Sequence, residues 1–131
     1  MVETTLEKVN LKSTIFEKYP SEISGGMKKR VGLARTLMMN PLIILYDEPT
    51  SGLDPVNTTI IHELIQKMQK EKNISSIIVS HDTSIFKYVD NVAFLYQGSI
   101  YYHGPANTIH NVNDPIVKQF IDGIAQGPIS S

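Results

Sequence analysis

Apolar residues recur along this chain in two rhythms, one of helices and one of strands. Val31, Ala34, Leu37 and Met38 fall three and four apart, as do Ile60, Ile61, Leu64, Ile65 and Met68, which predicts helices over 27–39 and 55–70 with one buried stripe each. Between them, after Pro41, the unbroken run Leu42 to Tyr46 reads as a strand buried on both faces of a parallel sheet. Ser75 to Val79 is a second strand, and Thr83 to Tyr88 a short helix. Asn91 to Tyr96 and Ser99 to His103 flank Gln97-Gly98, the spacing of a hairpin, and Gly104-Pro105 then breaks the chain. A helical turn over 106–110 follows, and a last helix over 115–122 has Asp114 as its cap and Gly123 at its end. A short helix over 2–9 opens the chain, and Tyr19 to Ile23 separate it from the first long helix. The order predicts an α/β fold: a parallel sheet flanked by helices, then a hairpin and a helix, in one domain spanning 1–131.

The candidate chemistry lies where these elements end. Asp47 and Glu48 leave the apolar strand at its carboxyl edge, where open α/β sheets bind ligands, and are suited to a divalent ion and an activated water. Ser24 is a good helix cap and Gly25 and Gly26 strip the first turn of side chains, leaving free amides and a positive dipole end for an anion. Pro49 to Asp54 is a tight polar turn, with Asp54 capping the next helix and Pro55 in its first turn. Ser80-His81-Asp82 follows the second strand. Taken singly, an Asp-Glu pair caps a strand, Ser-Gly-Gly is a turn and a histidine is a surface residue. In this order they read as phosphate chemistry.

The same residues resemble the ABC transporter ATPases. Ser24-Gly25-Gly26-Met27 resembles their signature motif, Leu42 to Asp47 the Walker B strand, Glu48 the catalytic glutamate, Ser51, Gly52 and Asp54 the D-loop, and His81 the switch histidine. The resemblance implies ATP and Mg²⁺ as ligands, with Asp47 holding the metal through its water shell. It implies that Glu48 polarises the attacking water, that His81 contacts the γ-phosphate, and that Ser24, Gly25 and Gly26 reach a nucleotide held by a second ATPase subunit in a dimer. Phosphoryl transfer needs mainly positioning and charge neutralisation, which such a set supplies.

The departures from the family are as informative. The phosphate cradle G-x-x-x-x-G-K-[ST] is missing, since the chain has no Gly-Lys dipeptide, and no Gln precedes the signature. The chain therefore resembles the carboxyl-terminal half of such a domain, a partial P-loop NTPase fold without its P-loop strand. A sheet lacking that strand has a gap or a bare edge, from which low stability is expected.

Composition narrows the classes further. Apolar residues are 41%, charged residues 19% and the formal net charge is −1, which offers no basic stripe for nucleic acid. Lys28, Lys29 and Arg30 read as a solvated helix face, and no heptad run suggests the DNA-repair ATPases that share the signature. Cysteines are lacking, which excludes a disulfide framework or thiolate metal site. No apolar run approaches the ~20 residues that span a bilayer, and the polar start does not resemble a signal peptide. His103 and His110 read as surface residues.

Met27, where most family members carry Gln, and the ending Gln119-Phe120-Ile121-Asp122-Gly123 with Gly127-Pro128 resemble the Mla-type ATPases, which energise phospholipid movement between bacterial envelope membranes. That resemblance implies an integral membrane permease and an MCE-type lipid-binding protein as partners, and a cytoplasmic place on the inner membrane through the permease. The alternative is a non-catalytic or complementing half-subunit that lends its signature and Walker B faces to a separate phosphate-loop chain.

Overall fold

In the computed structural model, which describes residues 1–129, the chain divides into two compact units, Met1–Asp82 and Thr83–Ser131, each with its own two-stranded sheet. The first contains α1 (Val2–Lys8), α2 (Gly25–Leu37), β1 (Ile43–Asp47), α3 (Pro55–Lys72) and β2 (Ser75–Val79), with single 3₁₀ turns at Ser13–Ile15 and Pro20–Glu22.

Helix α2 starts at Gly25, two residues before the expected Met27, because Ser24 is extended and its Oγ accepts the Met27 N–H at 3.2 Å. It ends at Leu37 rather than Met39, and Asn40 at φ 46° turns the chain toward β1. Strands β1 and β2 pair in parallel, Ile43 opposite Ser75 through to Asp47 opposite Val79. The crossover between them is α3. Asp54 accepts the N–H groups of Val56 and Asn57 at 3.0 and 3.1 Å, Pro55 fills the first turn, and Asn73 in the left-handed region at φ 53° closes the helix.

The core of this unit joins Val9 and Leu11 to Leu33, Ala34 and Leu37 of α2, Ile44 of β1, Leu64 and Met68 of α3, and Ile74. Burying each large apolar side chain contributes about 1.5–3 kcal/mol. The expectation that β1 is buried on both faces is corrected here: Ile44 is buried, whereas Ile43 and Leu45 are 62% and 72% exposed, and Ile77 and Val79 of β2 are each 59% exposed. Within Met1–Asp82 the helices supply their apolar stripes to the Ile44 side alone, so the continuous apolar run covers one dry face and one wet one.

In the second unit, Thr83–Tyr88 is a 3₁₀ helix, β3 (Asn91–Tyr96) pairs antiparallel with β4 (Ser99–Pro105), a 3₁₀ turn spans Ala106–Asn111, and α4 is Pro115–Asp122. Gln97 and Gly98, at φ 48° and 78°, make the two-residue hairpin turn. Strand β4 runs two residues past His103 because Gly104 and Pro105 stay in register with Val92 and Asn91. Asp114 caps α4 by accepting the Ile116 and Val117 N–H groups at 2.9 and 3.0 Å. Buried Gln119 donates to the carbonyls of Ile124 and Ile129 and accepts the Ile129 N–H at 2.7 Å, fastening the segment beyond α4.

Candidate active site

The carboxyl ends of β1 and β2 deliver the reactive groups side by side. Asp47 is the last residue of β1 and is exposed, and Glu48 then leaves the strand at φ 45°, a left-handed conformation uncommon for a residue with a Cβ. Three contacts hold that turn. The Glu48 N–H donates to the Val79 carbonyl at 2.9 Å, and the Glu48 carbonyl accepts the Ser51 N–H and the Lys29 ammonium, both at 3.2 Å.

The Glu48 carboxylate faces the histidine that follows β2. Glu48 Oε1 lies 2.9 Å from His81 Nδ1, which donates to it and leaves Nε2 as the ring's other nitrogen on a side chain 75% exposed. The hydrogen bond to Glu48, then its negative charge, hold the His81 pKa above the ordinary 6.5. The second oxygen, Glu48 Oε2, is buried without a hydrogen-bond partner among the described residues. A buried carboxylate oxygen without a partner is costly, and it is the feature expected of a group that takes a water when substrate is present.

Gly26 has a packing reason to be glycine. A Cβ there would meet Asn57 Oδ1 at 2.6 Å and Asn57 Cγ at 2.9 Å, so the first turn of α2 rests directly on the first turn of α3. Gly52, at φ 75°, turns the loop between β1 and α3. An open cleft of about 190 Å³ lies between α2, β1 and α3, lined among others by Lys29, Gly32, Thr36, Tyr46 and Asp47.

The structure thus brings Glu48 and His81 into contact and places Asp47 beside them, while Ser24, Gly25 and Gly26 form the start of α2. Met27 turns inward: its half-buried side chain packs on the core and its N–H serves the Ser24 cap. Asp54 spends its carboxylate on capping α3 and on the Asn57 side chain. The basic run is not simply solvated, since Lys29 reaches Glu48 and the Arg30 guanidinium donates to the Asn10 carbonyl at 3.0 Å. Sequence reasoning also missed His62, which is 1% exposed on α3 with Nε2 3.9 Å from Asp82 Oδ2. Its place next to Ile61 in the apolar stripe was the available signal.

No group of three or more His, Asp or Glu residues among the described residues could ligate a metal ion. Asp47 stands exposed at the strand end, a single carboxylate of the kind that Mg²⁺, which keeps several waters, takes beside substrate phosphates.

A parallel strand pair ending in a joined Glu and His, after a helix opened by Ser-Gly-Gly, resembles part of an ATP-binding cassette. The match to solved structures agrees: the ADP conformation of MJ1267, an ATP-binding cassette of an ABC transporter, superposes with TM-score 0.80 at 28% identity, over 93% of this chain and 48% of that one. The dimeric post-hydrolysis state of the cassette MJ0796, bound to ADP and Pi, gives TM-score 0.69 at 29% identity, over 79% and 44%. The ABC transporter family model matches residues 1–51. The "Probable ribonucleotide transport ATP-binding protein mkl" of Mycobacterium leprae is 43% identical over 86% of this chain and 33% of its own length. The chloroplastic protein TRIGALACTOSYLDIACYLGLYCEROL 3 of Arabidopsis thaliana is 40% identical over 98% and 42%, and the intermembrane phospholipid transport system ATP-binding protein MlaF of Escherichia coli K12 is 37% identical over 95% and 46%. In sequence and fold the chain resembles ABC transporter ATP-binding proteins, the Mla-type members among them. It spans a third to a half of the length of these curated relatives.

Proposed function

We propose that this chain works as the ATP-hydrolysing part of an ABC transporter that moves phospholipid in a bacterial envelope. The observation that carries this is the Glu48–His81 pair at the sheet edge, with one Glu48 oxygen bonded to the imidazole and the other buried without a hydrogen-bond partner among the described residues. Glu48 orients and polarises the attacking water, and His81, held by Glu48 through Nδ1, presents its remaining nitrogen to the terminal phosphate. Asp47 would hold Mg²⁺, which would supply neutralisation of phosphate charge. Ser24, Gly25, Gly26 and Met27 offer the start of α2 to a nucleotide on a second ATPase subunit, while Ser51, Gly52 and Asp54 shape the neighbouring loop. The lipid assignment is supported by the phospholipid transport named for the Escherichia coli relative, against the ribonucleotide transport named for the Mycobacterium leprae one, and the partners it implies are an integral membrane permease and an MCE-type lipid-binding protein. No described helix is long and apolar enough to cross a membrane, and the proposed place, on the cytoplasmic side of the inner membrane through a permease, rests on the resemblance to the Mla-type ATPases.

One observation favours a second reading, a complementing half-subunit. The wet face of Ile43, Leu45, Ile77 and Val79 suits coverage by a polypeptide that carries the phosphate loop. One experiment tests both. The chain is combined with a phosphate-loop chain of its own transporter, and phosphate release is measured with and without Glu48→Gln. The expected result is activity only in the mixture, lowered about 10²- to 10⁴-fold by the substitution. Joint activity indifferent to Glu48→Gln would leave a passive subunit, and micromolar Mg-ATP binding by the chain alone, read by calorimetry, would refute the need for a separate phosphate grip.

A further inference from the structure

We propose that Lys29 is a positioning residue for Glu48, tying the helix that opens with Ser24-Gly25-Gly26 to the acid of the same chain. Lys29 lies early in α2, and its Nζ crosses to β1's end to donate to the Glu48 carbonyl at 3.2 Å, in part-buried surroundings. That carbonyl belongs to a residue at φ 45°, a conformation that persists only when neighbouring contacts hold it. The contacts come from three places: Val79 on β2 takes the Glu48 N–H, Ser51 donates from the following loop, and Lys29 donates from α2. The first two are neutral bonds between backbone groups. Lys29 is the charged donor and the one that arrives from a helix, and bonds to charged donors are the stronger kind.

The consequence is a mechanical link inside one chain. The start of α2 is the proposed contact for an anion on a second subunit, and Glu48 acts on water at this chain's own site. Lys29 joins the two, so a shift of α2 when its first turn engages an anion is transmitted to the Glu48 backbone and hence to the Glu48–His81 bond. This part rests on the ATPase reading above, whereas the tie itself does not.

The tie is tested on the isotope-labelled full chain by NMR. Lys29→Met keeps the aliphatic stem and removes the charge, Lys29→Arg restores a charged donor, and Lys28→Met, at an exposed neighbour, is the control. The expected result is that Lys29→Met moves the His81 imidazole Nδ1 and Glu48 amide signals, Lys29→Arg returns them toward their original positions, and Lys28→Met leaves them in place. Unmoved signals in Lys29→Met overturn the proposal. If Lys29→Met fails to fold, the unsubstituted chain decides: the Lys29 ammonium should exchange with water about tenfold more slowly than that of Lys28, a ratio in line with one hydrogen bond from a charged group, and equal rates overturn it. In the mixture with the phosphate-loop chain, Lys29→Met should lower kcat and leave KM for ATP unchanged, with Lys29→Arg recovering the rate. Joint activity that ignores Glu48→Gln would defeat the ATPase reading while the NMR result still decides the tie.

Discussion

At the scale of single residues, the Glu48–His81 bond sets a pH dependence whose sign can be worked out. Glu48 holds the His81 pKa above 6.5, so the folded chain binds that proton more tightly than the unfolded one does. The resulting stabilisation is fully present below 6.5, the ordinary value, and is lost as pH rises through the raised one. Asp54 and Asp114 act in the opposite range. Hydrogen bonds to the Asn57 side chain and amide, and to the Val117 amide, hold their carboxyls below 3.8, so their contribution is present above that value and is lost as the solution is acidified through the lowered one. The urea midpoint of the chain is therefore expected to fall on both sides of a plateau. In Glu48→Gln the decline on the alkaline side should flatten while the acid limb stays. Because His81 is largely exposed, the alkaline effect is small and should shrink further at high salt. An unchanged alkaline limb in Glu48→Gln would show that the carboxylate is not what raises the histidine.

Between elements, the decisive contact is the one glycine makes possible. The α2 and α3 first turns approach so closely at Gly26 that Asn57 occupies the space of a β-carbon, and Asn57 is itself fixed by Asp54. Gly26→Ala should therefore destabilise by about 1–3 kcal/mol, the usual cost of forcing an extra methyl into a packed contact. Much of that loss should return in Gly26→Ala with Asn57→Ala, a coupling that a double-mutant cycle in urea would measure. Additive losses would mean the clash lies elsewhere. This contact also marks the limit of what the sequence made legible. Helix and strand order, the hairpin and the caps at Ser24, Asp54 and Asp114 could be read from local chemistry, because period, cap and turn residues act within a few positions of themselves. Separate roles for Glu48 and His81 at one phosphate were implied by family resemblance, but their direct hydrogen bond was not, since the two follow separate strands. Asn57 against Gly26 and Lys29 on the Glu48 carbonyl were not legible at all, and for His62 only its burial, not its place beside Asp82, had a signal. Each joins residues from separate elements, and nothing in the local pattern of a lysine distinguishes a solvated side chain from one that reaches across.

At the scale of the whole molecule, the feature with the largest consequence is the apolar face of the β1–β2 sheet that stays wet. Ile43, Leu45, Ile77 and Val79 are one face of two adjacent strands, since side chains alternate along a strand and parallel partners lie in register. Apolar surface left in water gains nothing from folding, and a bare patch on a strand pair invites association. Replacing a residue of this face should therefore have a different signature from replacing one of the opposite face. Ile77→Thr keeps a β-branched side chain suited to a strand and removes only exposed apolar area, so its effect on the urea midpoint should stay within about 0.5 kcal/mol. Its effect on self-association should be large, with the concentration at which the chain begins to aggregate rising, as read by light scattering. Ile44→Ala, one residue from Leu45 but inside the core, should do the reverse: it should cost about 2–5 kcal/mol through lost burial and the cavity left behind, and leave the wet face as sticky as before. If Ile77→Thr unfolded the chain as readily as Ile44→Ala, the outer face would have to be buried in solution, and the chain alone would already carry a cover over its sheet.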